Sequence, residues 1–110
     1  MSFQQGLSGL NATSRSLDVI GNNIANASTY GAKVSRAEFA DLYAGALGNT
    51  GTGSVGMGVS TAKIAQQFSQ GNITTTQNPL DMAINGAGFF VLKDGEGAES
   101  RSYTRNGQFK

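Results

Sequence analysis

Cysteine, histidine and tryptophan are absent from this 110-residue chain, and proline occurs once. Without cysteine or histidine there is no Cys/His zinc site, no thiol nucleophile and no Ser-His-Asp triad. Disulfide cross-links are excluded too, so cysteine usage says nothing about redox compartment. Charge is also scarce. Charged residues make up 14% of the chain and the net charge is +1, which leaves no basic stripe to follow a nucleic-acid backbone. The opening "MSFQQGLSGLNATSRSLDVIG" has no basic start leading into a continuous apolar run. It therefore predicts neither a cleavable secretory signal nor a membrane span, and export would need another route. What is abundant is glycine, with 16 residues, about double ordinary usage.

Residues 2 to about 26 read as one helix. Ser2 with Gln5 fits a capping box, in which side chains satisfy the orphan amides of the first turn. Phe3, Leu7, Leu10, Leu17 and Ile24 recur at steps of three, four or seven, and Ile20 extends the stripe. Ser14 and Gly21 interrupt it, so the stripe is narrow. Such a helix is about 36 Å long at 1.5 Å per residue, and most helical stability comes from packing one face. No second long amphipathic pattern follows that could cover the stripe. Its partner is expected in another molecule, or in a helix outside this chain.

"GAKVSRAEFADLYAGAL", Gly31 to Leu47, carries Val34, Phe39, Leu42 and Tyr43 at spacings that fit either short helical turns or a strand. Residues 48–60, "GNTGTGSVGMGVS", alternate glycine with small residues and read as a flexible loop. Beyond them, β-forming runs at Ile73 to Thr76, Met82 to Ile84, Phe89 to Leu92 and Ser102 to Thr104 are divided by Gly, Asn, Pro and Asp. Asp94-Gly95 and Asn106-Gly107 are turn signals. The second predicts a hairpin whose return strand would lie past Lys110, as in a fragment. The fold class is α+β: a long N-terminal helix, a polar linking segment with a glycine-rich loop, then the start of an incomplete antiparallel β domain. Segments are expected at 1–30, 31–70 and 71–110.

No set of residues supports catalysis, a cofactor or a metal. "GTGSVG", Gly51 to Gly56, has the spacing of a dinucleotide loop, but no convincing strand precedes it and no helix clearly opens from it. A glycine-rich linker is the plainer reading, and a soluble ligand-binding module the alternative it leaves. The sequons at Asn11, Asn26 and Asn72 read as chance. Glu38, Asp41, Asp81, Asp94, Glu96 and Glu99 show no acid/base pairing and read as solvated charges. Lys33, Arg36, Arg101 and Arg105 read as surface or salt-bridge cations.

One segment carries more. "LDVIGNNIANASTYGAK", Leu17 to Lys33, resembles the signature of the bacterial flagellar rod and hook axial proteins, N-N-[IV]-A-N-x-x-T-x-G-[FY]-K. Asn22, Asn23, Ile24, Ala25, Asn26, Thr29, Gly31 and Lys33 match, while Ala32 stands where an aromatic is usual, with Tyr30 as a nearby substitute. "GNITTTQNPLDMAINGAGFFVL" and "YTRNGQF" resemble segments shared across that family. "SFQQGLSGLNA" and "RAEFADLYAGAL" resemble the hook branch more than the distal rod.

The resemblance implies an N-terminal helix paired with a C-terminal helix to line a tube. It implies that Phe3, Leu7, Leu10, Leu17, Ile20 and Ile24 are packing residues, and that the polar signature joins the helical core to a β-rich outer domain. The function it implies is a structural subunit of the hook, polymerising into a flexible, torque-transmitting tube, with a distal rod subunit as the alternative. Implied partners are further copies of the chain, the rod, the hook cap, hook–filament junction proteins and the flagellar type III export apparatus. The implied location is the hook and basal body, outside the cell after export. Neither nucleic acid nor membrane insertion is expected.

Overall fold

The first element is the long helix. In a computed structural model that describes residues 2–42, 56–95 and 100–110, helix α1 spans Ser2–Ala25. Four strands follow: β1 Ser35–Asp41, β2 Val59–Gln66, β3 Phe90–Lys93 and β4 Arg101–Thr104. They form two separate antiparallel pairs, β1 with β2 and β3 with β4. The class is α+β, as expected. The chain divides into two units that interleave along the sequence: residues 1–24 with 34–67, and residues 25–33 with 68–110.

In the first unit, the ambiguous stretch after Gly31 is a strand. Its ladder with β2 runs from Ser35↔Gln66 to Asp41↔Val59 and slips at Glu38/Phe39, where one extra β2 residue makes a bulge. Backbone bonds extend it at both ends, from Gln67 N to Val34 O (2.8 Å) and between Leu42 and Met57 to Gly58. Strand β2 begins at Val59, so the last two residues of the expected loop 48–60 belong to a strand. Residues 48–55 of that loop lie outside the described residues. The pairing places Arg36, Glu38 and Lys63 on one face. The Arg36 guanidinium lies 3.2 Å from the Glu38 carboxylate and the Lys63 ammonium 3.4 Å from it.

The helix meets this hairpin through polar side chains. Ser8 Oγ donates to Val59 O (2.6 Å) and accepts from Val59 N (2.7 Å). Asn23 Nδ2 donates to Ser35 O (2.7 Å), and Asn23 Oδ1 accepts from Ser35 N (2.9 Å). Val59 and Ser35 open β2 and β1, at opposite ends of the ladder, so the helix is tied at both. Gln5 adds a bond to Gly56 O, and is therefore not confined to the capping role expected of it. The Ser2 half of that box lies outside the described side chains. Gly58, at φ +121°, lets Ser8 approach, since a β-carbon there would lie 2.8 Å from Ser8 Oγ.

In the second unit, β3 and β4 pair Phe90↔Thr104 through Lys93↔Arg101. Gly95, at φ +80°, stands in the connection, consistent with the turn expected at Asp94-Gly95. Asn106-Gly107 does not form the type I′ turn that its sequence suggests. A two-residue type I′ turn needs positive φ at both residues, and neither has it. Asn106 Oδ1 instead accepts from Gln108 N (3.0 Å), and Asp81 bridges Gln108. Gly107 is buried, and a β-carbon there would overlap the Met82 carbonyl. Phe109 meets Phe90 edge-on at 5.4 Å, and Phe68 meets Phe89 at 5.8 Å. The runs expected as strands at Ile73 to Thr76 and Met82 to Ile84 form none, although Met82 N donates to Gly107 O (2.9 Å).

Asn23→Ala should destabilise the first unit by about 1–3 kcal/mol, because it leaves both backbone groups of Ser35 without their partner; urea unfolding would read the change. A second expectation concerns acid. Arg36, and to a lesser degree Lys63, hold the Glu38 carboxyl below its ordinary pKa, against partial dehydration that raises it. This stabilisation is present above the unfolded-state pKa and is lost as pH falls through the lowered folded-state value. Unfolding measured across that acid range should show a small loss in the native chain that Glu38→Gln removes.

Candidate assembly surface and signature segment

Helix α1 shows two opposed faces. Positions 5, 8, 12, 16, 19 and 23 step by three or four residues, and all six are buried or half-buried. They are Gln5, Ser8, Ala12, Ser16, Val19 and Asn23, so the face holding the hairpin is small and polar. Val19, 8% exposed, is the buried hydrophobic residue among the described side chains. The expected packing residues lie elsewhere. Phe3 is 83% exposed, Leu10 and Ile24 70%, Leu17 62%, Leu7 51% and Ile20 48%. A surface helix normally turns its apolar stripe inward; here it is uncovered within the described chain.

The signature residues sort into distinct tasks. Asn23 holds Ser35, as described above. Ala25 ends the helix, where Asn26 O accepts from Thr29 N (3.0 Å) and Thr29 O from Ala32 N (3.3 Å). The Thr29 hydroxyl lies 3.5 Å from Asn26 Oδ1, and Asn22 is also engaged. Gly31, at φ +76°, leaves the helix by a left-handed step that a side chain resists. A β-carbon at Gly31 would also lie 2.5–2.6 Å from the Arg105–Asn106 peptide. Lys33 Nζ donates to Ser69 O (2.8 Å). Tyr30 is 58% exposed, and no ring contact of it occurs among the described residues.

Two side chains carry more structure than their charge suggested. Asp81 is not merely a solvated charge, since it accepts from Thr76 Oγ1 (2.7 Å) and Asn78 Nδ2 (2.9 Å) and so closes the turn containing Pro79. Arg105 pairs with no carboxylate among the described residues; its guanidinium binds oxygen acceptors at residues 70, 84, 86 and 88. Arg36 is the salt-bridge cation expected. Among the described residues no helix is long and apolar enough to cross a membrane, and no three potential metal ligands come together. Of the Gly51 to Gly56 run, only Gly56 is described.

Residues 3–33 match the family described as flagella basal body rod protein. The chain is similar to flagellar hook and basal-body rod proteins. Over all 110 residues it is 53% identical to the flagellar hook protein FlgE of Salmonella typhimurium strain LT2, and 52% identical to that of Escherichia coli K12. A flagellar basal-body rod protein, FlgG of Buchnera aphidicola subsp. Schizaphis graminum, is 39% identical over 93% of the chain. The similarity therefore extends well past the matched helix and signature, into both strand pairs. It spans 25% of the length of the Salmonella hook protein.

Replacing Leu10 or Leu17 with Asp should leave the fold of this chain almost unchanged, because both side chains face solvent and surface substitutions typically shift stability by about 0.5 kcal/mol or less. On the expectation that the stripe is a packing surface, the same changes should disrupt its contact with a partner. Circular dichroism beside a binding measurement in the whole subunit would separate the two effects, and an unchanged contact would contradict a role for the stripe.

Proposed function

We propose that this chain belongs to a structural subunit of the bacterial flagellar hook, which polymerises into a helical tube and serves as a flexible, torque-transmitting joint. Enzymatic chemistry has no part in it. The observation that carries the proposal is a helix held by its polar face with its apolar face left open. Burying a large apolar side chain contributes about 1.5–3 kcal/mol, whereas a net hydrogen bond contributes about 0.5–1.5 kcal/mol. The open stripe thus has more to gain from a partner than the polar face gains from the hairpin. Repetition of one such contact between identical subunits builds an open helical array in place of a closed ring.

On this reading the partners are other copies of the chain, the rod at one end, the hook cap and hook–filament junction proteins at the other, and the type III export apparatus before assembly. The protein works in the hook and basal body, outside the cell. A distal rod subunit is the second reading, favoured by the rod relative at 39% identity; the hook relatives, at 52–53% over the whole chain, outweigh it.

Mass spectrometry of purified hook–basal-body particles provides the test. The tryptic peptide Ala37 to Lys63 should be found in the hook portion once hook and rod are separated. Its presence in the rod portion alone would favour the rod reading. Its restriction to the soluble cytoplasmic fraction would overturn both.

A further inference from the structure

Arg105 holds together parts of the chain that are far apart in sequence. Its Nη2 donates to Gln70 Oε1 (2.8 Å), Ile84 O (2.9 Å) and Gly86 O (2.7 Å), and its Nη1 donates to Gly88 O. The carbonyls of residues 84, 86 and 88 therefore converge on one cation. Gly86 (φ +99°) and Gly88 (φ +136°) give the loop the backbone angles that let it curl around the group. Gln70 Oε1 also accepts from Gly86 N (3.3 Å), so the acceptor is itself fixed. While the side chain grips this loop, the Arg105 backbone forms the wall against which Gly31 rests. The next residues close on the same body through Met82, Asp81 and Phe90.

We propose that Arg105 is the positioning residue of the signature segment. By locking the Arg105–Asn106 peptide in place, it fixes the path of residues 29–33 and thereby prepares the subunit for assembly. This rests on the hook reading for its biological consequence, though not for the local effect. A guanidinium suits the task because its planar fork serves several acceptors at once, whereas an ammonium acts as a compact point charge. Gly31 is the complementary half. Its lack of a side chain allows the peptide of the locked residue to approach.

The test is amide hydrogen exchange on the full chain, combined with a polymerisation assay. In Arg105→Gln, the amides of Ala32, Met82 and Gly86 should exchange at least ~10-fold faster, while those of Leu42 and Gln67 in the other unit change less than ~2-fold. Arg105→Lys should restore only part of the protection. Gly31→Ala should reproduce the pattern from the opposite side of the contact, and it serves alone if Arg105→Gln does not fold. Unchanged exchange at Ala32 and Gly86, an equal rise at all five amides, or full rescue by lysine would each overturn the proposal. Polymers forming as readily from Arg105→Gln as from the native chain would overturn the link to assembly. If the native chain fails to polymerise within its whole subunit, the hook reading fails while the exchange result still decides the local role.

Discussion

Four hydrogen bonds between α1 and the ends of the β1–β2 ladder determine how the helix is used. Ser8 serves both backbone groups of Val59, and Asn23 serves both backbone groups of Ser35. Each side chain supplies a donor and an acceptor, so each satisfies a strand residue much as a neighbouring strand would. Hydrogen bonding replaces the usual burial of leucine, because the hairpin sequences "SRAEFAD" and "VSTAKIAQ" offer little apolar surface. With the polar side committed to these contacts, the leucines and isoleucines of α1 must face outward.

The course of the chain gives the signature its place. Residues 25–33 follow the helix without a break, yet they belong to the unit built from residues 68–110. The segment that ends the helix is therefore built into the β3–β4 body. That explains why the segment is short on large apolar groups. Within it, Gly31 must admit a peptide and Lys33 must reach the Ser69 carbonyl. Small and polar residues meet those demands, while bulky ones would prevent the approach.

The helix was legible in the sequence because its pattern is local: a stripe at helical spacing identifies it without reference to the remainder of the chain. Strand β1 was not, since Val34, Phe39 and Leu42 fit two periodicities and its identity comes from pairing with residues 59–66. Asn106-Gly107 misled for a different reason. The dipeptide favours a tight turn in many contexts, but here Gly107 is needed for close contact with Met82. Arg105 could not be recognised from composition because three of its four acceptors are main-chain oxygens gathered by the fold. The apolar stripe was legible as a run at helical spacing, and the structure leaves it exposed; the signature was legible as a family mark. The second helical face, running from Gln5 to Asn23, was in plain view as a run of threes and fours. It carries no apolar signal because only Val19 on it is a large apolar residue.

The outermost row of the stripe has a geometric consequence. Phe3, Leu10, Leu17 and Ile24 are separated by seven residues each, whereas a straight α-helix drifts about 20° around its axis over seven residues. A partner that keeps touching all four must follow that drift and wind around α1 with a left-handed twist. With a supercoil pitch near 150 Å, a helix about 36 Å long completes roughly a quarter of a turn. A partner helix would thus meet α1 with a handedness set by the arithmetic of four side chains.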